Sequence, residues 1–319
     1  MPTETWACDN TPPTIDELLQ RVEELAPLPH VTSRVIQVTE EDTFSAYDLA
    51  AIIATDTALT AKMLGVANST FYAYPRRILT VRDSVVLIGF RVVRATAIAA
   101  AIIDLFPGAD DGPFNSDLFW GHAVACGVVA EAIARETGHA RPDEAFTVGI
   151  LHDLGRLVLS LYEPERFGRV LSRAIDGTAP MEIAERLEFG YDHAELGAAL
   201  TSQWNFPAEI CNAIAEHHNL EQAPDRSGLI YVLTQANALC HKHGLWCGLD
   251  TLDGAKAYGP PGSITDDSVF AEVIHRIGGL SQIHAKISMF LRSSQDREIS
   301  WYSDVAIPTS PPADGEDAA

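Results

Sequence analysis

The chain has 319 residues, of which 47% are hydrophobic, and a formal net charge of −22 at pH 7. Its length suffices for one large domain or two modest ones, and its acidity excludes broad, sequence-independent binding to nucleic acid or anionic lipid. No apolar stretch reaches the roughly 18 uninterrupted residues of a membrane span. The acidic N-terminus lacks the basic start of a signal peptide, so we expect a cytoplasmic protein without a membrane span.

Short amphipathic helices are predicted from residue 14 to residue 106, after a loose lead-in at residues 1–13. Caps mark where three of these helices begin, because a Ser, Thr or Asp side chain satisfies backbone N–H groups that a helix leaves free at its start. The caps are the pairs Thr14 with Glu17 and Ser45 with Asp48, and the single residue Asp56. We interpret this part of the chain as an N-terminal helical subdomain.

A second helical subdomain is predicted at residues 114–243, beyond a hinge rich in Gly, Pro and Asp. A C-terminal helical extension should follow at 244–293, and the Pro-rich acidic tail at 294–319 is predicted to be disordered. No alternating pattern of useful length indicates a strand. The predicted fold class is therefore all-α, a multi-helix bundle.

Punctuating residues locate the helices of the second subdomain. Gly138 should end the first of them, and Pro142 should open the next, because Pro suits the first helical turn and Gly the residue after the last. That helix leads to His152 and Asp153, which follow an apolar run. Neighbours on a helix point about 100° apart, so both side chains could touch one ion at the edge of their two faces.

Neutral imidazole and carboxylate are common ligands of divalent transition metals, but two ligands do not make a site. Further histidines lie in segments predicted to be helical, and a bundle could bring them together. They are His122, His193, His217 and His218. The alternative is that each histidine is a core residue held by a neighbouring acid or a backbone carbonyl. The five cysteines are scattered without a CxxC pair, which indicates reduced, mostly buried residues.

A basic island interrupts the acidic chain between residues 76 and 94, with Asp83 as its one acid. It consists of Arg76, Arg77, Arg82, Arg91 and Arg94. One interpretation is solvated helix faces and loop ends. The other is a docking patch for an acidic partner or a phosphorylated ligand, recognised by the planar guanidinium groups of Arg91 and Arg94.

Several segments between about residues 20 and 240 match one family pattern jointly. They are Leu28-Pro29, Asp56 to Leu64 with Ala67-Asn68-Ser69, Ile88-Gly89, Trp120 with His122, Gly149 to Arg156, Phe189 to Gly197 with Trp204, and Glu216-His217-His218. Together they resemble the HDOD family, the HD-related output domains of bacterial signalling. The resemblance implies an all-helical regulatory domain related to the HD phosphohydrolases, in which the ancestral metal site is often incomplete.

The resemblance also implies a ligand set for a divalent metal such as Fe, Mn, Zn or Mg, in a site that is either functional or vestigial. This set is His122, His152, Asp153, His193, His217 and His218, with Asn237 at the position of a final aspartate. An amide oxygen can coordinate a metal but brings no negative charge. Arg156 stands where the phosphodiesterase branch carries a lysine, and a Gly-Tyr-Pro segment of that branch is replaced by Asn219 to Pro224.

Three functions remain open from the sequence. The first is a signalling output module that contacts other signalling proteins and keeps a residual metal, phosphate or nucleotide pocket. The second is a metal-dependent phosphohydrolase, a phosphodiesterase in which Asp153 would help hold the ions that activate water and Arg156 would orient the phosphate. The third is a protein whose histidines satisfy one another in the core and bind nothing.

Overall fold

The computed structural model describes residues 11–37, 44–69, 72, 74–106, 114–138, 140–219 and 228–242, with short pieces between 273 and 287. Within these residues the secondary structure is helical, without a strand, as the all-α prediction requires. The predicted hinge, the acidic tail and most of the C-terminal extension lie outside the described residues. The proposed subdomain boundaries therefore stay predictions.

The described residues of the first half of the chain form six helices. They are α1 (Ile15–Leu25), α2 (His30–Gln37), α3 (Ala46–Ile53), α4 (Thr57–Ala67), α5 (Val81–Ile88) and α6 (Phe90–Leu105). The predicted caps are present: Thr14 and Ser45 each form a reciprocal capping box, and Asp56 accepts the Leu59 N–H. Helix α6 is the centre of this half, because it is buried along most of its length and packs against α2, α4 and α5.

The second half contains the helices that carry the histidines. They are α7 (Ser116–Thr137), α8 (Pro142–Leu151), α9 (Leu154–Tyr162), α10 (Pro164–Ile175), α11 (Met181–Phe189), α12 (His193–Gln203), α13 (Ala208–Ala215) and α14 (Gly228–Lys242). Gly138 ends α7 in the left-handed region at φ 67°, and Pro142 opens α8, both as predicted. Pro164 is the first residue of α10, directly after α9 has ended at Tyr162.

The helical run through the His152-Asp153 pair is interrupted, which differs from the sequence interpretation. Helix α8 ends at Leu151 and α9 begins at Leu154, so the pair occupies the turn between them. The two side chains are therefore not simple neighbours on one helix face.

Two stretches, Leu118–Thr137 and Pro142–Tyr162, are long and apolar enough to cross a membrane, each with a mean hydropathy of 1.2 over its best 18 residues. These windows are 78% and 89% buried inside the fold. Polar residues such as His122 and Asp153 interrupt both stretches, so neither is an unbroken apolar run. Helices α7 and α8 pack closely together, so these stretches form the centre of the core.

Candidate metal centre

Close contacts at glycine bring the histidine-bearing elements together. A Cβ atom added to Gly149 of α8 would lie 2.5 Å from the Gly127 Cα of α7, nearer than real Cβ atoms come. A Cβ atom on Gly155 would lie 2.1 Å from the carbonyl oxygen of His193. Only glycine permits backbones to approach this closely. The first contact brings α7 to α8, and the second brings α9 to the start of α12. These helices, with the turn between α8 and α9, carry four of the predicted ligands.

Asp153 lies at the centre of the predicted ligand set and is fully buried. Its Oδ1 atom is 3.3 Å from His193 Nε2 and 3.7 Å from His217 Nε2. Its Oδ2 atom is 3.4 Å from His152 Nε2 and 3.9 Å from His122 Nε2. The structure thus brings together four histidines, from the middle of α7, the turn after α8, the start of α12 and the turn after α13, around one carboxylate.

His218 completes the set on the side of His193. Its Nε2 atom lies 2.9 Å from His193 Nε2, which in turn lies 3.4 Å from His217 Nε2. Metal–nitrogen bonds of about 2.0–2.1 Å place two ligands about 2.9 Å apart at a right angle and about 3.4 Å apart at a tetrahedral angle. The observed separations fit donors that share one ion.

Backbone carbonyls fix the protonation of two of these rings. His152 Nδ1 lies 2.8 Å from the Gly149 carbonyl oxygen, and His217 Nδ1 lies 2.7 Å from that of Ile214. A carbonyl oxygen only accepts, so each Nδ1 carries the proton. Burial lowers the pKa of His152, and burial with the neighbouring histidines lowers the pKa of His217 well below its usual value. Both rings are therefore neutral, and both Nε2 atoms present a lone pair to Asp153.

Glu185 of α11 fixes the third ring. Its Oε2 atom accepts hydrogen bonds from His193 Nδ1 at 2.5 Å and from the His193 backbone N–H at 2.9 Å. A carboxylate that accepts from one ring nitrogen leaves the other as a lone-pair donor, an arrangement common behind metal-binding histidines. Glu185 was not predicted, and nothing in its sequence context marks it, because its role arises only where α11 packs beside the start of α12.

Arg156 joins the two buried acids and is itself only 1% exposed. Its Nη1 atom donates to Asp153 Oδ2 at 2.5 Å, and its Nε atom lies 3.6 Å from Glu185 Oε1. Burial acts to raise the pKa of Asp153, but the charge of the neighbouring Arg156 guanidinium holds it well below the usual range. Asp153 is therefore an anion, and Arg156 balances buried negative charge. The predicted role of Arg156 toward a phosphate stays a prediction.

Three further side chains lie beside His122. Cys126, one turn along α7, places Sγ 3.4 Å from His122 Nε2, and the ring of His241 is centred 4.8 Å from that of His122. Asn237 lies at this edge, with Oδ1 3.9 Å from Cys126 Sγ. Sequence reasoning missed Cys126 and His241, although each follows a chosen residue, His122 or Asn237, by four positions and so shares its helix face.

The donor set suits a divalent metal better than a closed network of hydrogen bonds. Three Nε2 lone pairs and a carboxylate converge, and all four groups accept. His152 Nε2 and Asp153 Oδ1 are buried without a hydrogen-bond partner. Buried polar atoms are nearly always paired, and an unpaired group indicates an ion or water. Three groups of side chains hold their donor atoms within 4.8 Å of one another: His122-Cys126-His152, His152-Asp153-His217 and His193-His217-His218.

The two arginines predicted to bind an anion differ in their surroundings. Arg94 is buried and its Nη2 atom lies 3.0 Å from Asp143 Oδ2, so its charge is engaged within the fold. Arg91 is exposed and lies 4.0 Å from Asp143 Oδ1. Arg91 and Asp143 line an open cleft, which is also lined by Glu131 and Lys286. Anion binding at this pair stays a prediction, with Arg91 as its accessible member.

Comparisons with known proteins agree with this architecture. The family model of the HDOD domain matches residues 25–220. A solved structure of an HDOD domain protein with unknown function from Geobacter sulfurreducens is 25% identical, with a TM-score of 0.71 over 86% of this chain and 96% of that one. A solved candidate phosphohydrolase from Shewanella amazonensis SB2B is also 25% identical, with a TM-score of 0.66 over 87% of this chain and 98% of that one.

A curated relative, an uncharacterized protein of Treponema pallidum (strain Nichols), is 26% identical over 209 residues. The match covers 65% of this chain and 40% of that protein, so the chain spans less than half of the relative's length. The family match extends from the end of α1 to the turn after α13 and includes the four helices and turns that supply His122 to His218. This chain belongs to the HDOD family.

Proposed function

We propose that this chain is a bacterial signal-transduction output module that acts through protein–protein contact and whose fold is held by a divalent metal. The observation that carries the metal is the set of three ring nitrogens from His152, His193 and His217, locked as lone-pair donors around ionised Asp153. An imidazole-rich set with one carboxylate suits Zn²⁺ or Fe²⁺ better than Mg²⁺, which prefers oxygen ligands. The bound ion would supply the positive charge that these four acceptors lack.

Burial favours a regulatory role over hydrolysis. His122, His152, Asp153, His193 and His217 are each at most 1% exposed. A phosphodiester must reach an open position on the metal before water can attack it. Asn237 also leaves the site without a second carboxylate at its position. These features support an ion that holds helices in place.

An exposed apolar face supports contact with a protein partner. Tyr47 of α3, Val86 of α5 and Leu79, which precedes α5, are 64%, 70% and 71% exposed. Arg82, one turn before Val86, lies over the Tyr47 ring at 5.7 Å, which joins α3 and α5 into one surface. Exposed apolar patches commonly mark interaction sites.

The metal is tested on protein purified without chelator. We expect close to one or more ions per chain, and a chelator should lower the melting temperature because bound metal stabilises only the folded state. A content below about a tenth of an ion per chain contradicts the metal centre.

The partner surface is tested by paired substitutions. Binding of a signalling protein to the full chain should be lost with Val86→Asp. It should be retained with Leu187→Asp, which changes an equally exposed leucine on α11. Equal effects of the two substitutions exclude this surface.

A metal-dependent phosphohydrolase is the second candidate, favoured by the histidine-aspartate cluster and by the similarity to the candidate phosphohydrolase from Shewanella. A panel of phosphodiesters and nucleotides, tested with metal-loaded protein, separates the two functions. Turnover that disappears in Asp153→Ala would establish hydrolysis and overturn the purely regulatory role. No turnover with metal bound supports the signalling module.

A further inference from the structure

We propose that the Cys126 thiolate is a metal ligand of this centre and replaces the negative charge that Asn237 does not provide. The inference rests on the proposed metal function and adds a sulfur donor to it. Cys126 is fully buried on α7, one turn after His122. Its ligand atom belongs to a group with those of His122 and His152, all within 4.8 Å of one another.

The separation between the donors fits a shared ion. Zinc–sulfur bonds of about 2.3 Å and zinc–nitrogen bonds of about 2.0–2.1 Å place the two donors about 3.5 Å apart at a tetrahedral angle. The observed distance from Cys126 Sγ to His122 Nε2 is 3.4 Å. The nitrogen that a third ligand would use, His152 Nε2, is buried without a hydrogen-bond partner. Cys126 is therefore close enough to share an ion with both histidines.

The charge of the cluster favours an additional anion as a ligand. Asp153 and Glu185 are its buried acids, and Arg156 contacts both. A divalent ion beside these three residues would leave one positive charge uncompensated in the core, where unbalanced charge is costly. Asn237 carries only an amide, 3.9 Å from Cys126 Sγ. When Cys126 binds, its S–H bond breaks, a sulfur–metal bond forms and the proton passes to solvent, which makes the buried cluster neutral.

A sulfur donor also narrows the choice of metal. Thiolate ligands favour softer ions such as Zn²⁺, Fe²⁺ or Co²⁺, whereas Mg²⁺ and Mn²⁺ prefer oxygen ligands. The inference therefore assigns the centre a preference for Zn²⁺ or Fe²⁺ over Mg²⁺.

Cobalt substitution tests the ligand directly, because thiolate bound to Co²⁺ gives an intense near-ultraviolet charge-transfer band. The full chain loaded with Co²⁺ should show this band, and Cys126→Ser should lose it. Cys240→Ser is the matched control, since Cys240 is also fully buried but belongs to none of the donor groups. The control should keep the band. Cobalt content is measured on each sample.

X-ray absorption of the zinc-loaded unmodified chain provides a second measurement that does not depend on a variant folding. A sulfur neighbour at about 2.3 Å supports the inference. Bound metal without a sulfur neighbour or a charge-transfer band overturns the role of Cys126 and leaves the histidine-aspartate centre standing. A chain that binds neither cobalt nor zinc overturns both the inference and the proposed metal centre.

Discussion

Replacing Glu185 with Gln should weaken metal binding without removing any atom that touches the metal. Glu185 holds His193 by two hydrogen bonds through one oxygen, and its second oxygen lies 3.6 Å from Arg156. A glutamine keeps the size of the side chain but has only one accepting oxygen and no charge. His193 would then be held less firmly, and Arg156 would keep its hydrogen bond to Asp153.

The expected size follows from the role of Glu185 behind a ligand. Loss of the partner that orients a metal-bound histidine commonly lowers metal affinity 10- to 100-fold, or about 1.4–2.7 kcal/mol. The metal-free variant should also lose about 1–3 kcal/mol of unfolding free energy, because a buried charged hydrogen bond is weakened. Competition of Zn²⁺ between the chain and a coloured chelator measures the first quantity, and urea unfolding measures the second.

Glu188→Gln is the matched control, because it makes the same chemical change one turn further along α11. Glu188 pairs with Arg169 at 2.6 Å and Arg173 at 3.0 Å, away from the donor groups. Zinc affinity of this control should equal that of the unmodified chain. If Glu185→Gln binds zinc as tightly as the control while remaining folded, Glu185 does not orient His193 for metal binding.

Three other predictions concern stability. The metal-free chain should become less stable as pH falls from about 7 to 5, because burial lowers the pKa of several histidines in the folded state and the unfolded chain, with histidine pKa near 6.5, binds more protons. Unfolding measured across this pH range checks the prediction, and a stability that does not change with pH contradicts it. The histidines concerned are His152, His217, His218 and His241. Gly149→Ala should lower the free energy of unfolding by about 1–3 kcal/mol through overpacking. Gly168→Ala, with open space at its Cβ position, should be neutral or stabilising by up to about 1 kcal/mol in urea unfolding. Equal effects of the two substitutions would refute the close contact. Arg94→Met should lower the free energy of unfolding by about 3–5 kcal/mol, because it leaves the buried Asp143 carboxylate without its paired charge. Arg91→Met should lower it by less than about 0.5 kcal/mol. The same unfolding assay compares the two, and similar losses would contradict the buried pair.

Local rules were sufficient for many helix boundaries. Thr14, Ser45 and Asp56 cap helices because their side chains meet backbone N–H groups within three residues, which a sequence pattern records directly. Gly138 and Pro142 mark an end and a start for equally local reasons. The turn between α8 and α9 was not predicted, because the apolar run through His152 and Asp153 continues across it.

The residues of the candidate site were likewise predictable only where a local sequence pattern or the family resemblance marks them. His152 and Asp153 stood out because they are adjacent in the sequence, and the resemblance to a family supplied the more distant ligands. Glu185 could not be found, since an acid on an amphipathic helix ordinarily faces solvent and only the packing of α11 buries it. Arg94 was predicted to be accessible, but its neighbour Asp143 lies on another helix and its burial follows from tertiary packing.

The scattered origin of the donors has a consequence for biosynthesis. His122 leaves the ribosome well before His217 and His218, so the nascent chain cannot hold a full set of ligands until the turn after α13 has been made. Apolar contact between α7 and α8, at Gly127 and Gly149, can form earlier. If the proposed centre binds an ion, the ion would enter a nearly complete bundle, and metal binding would be a late step in folding.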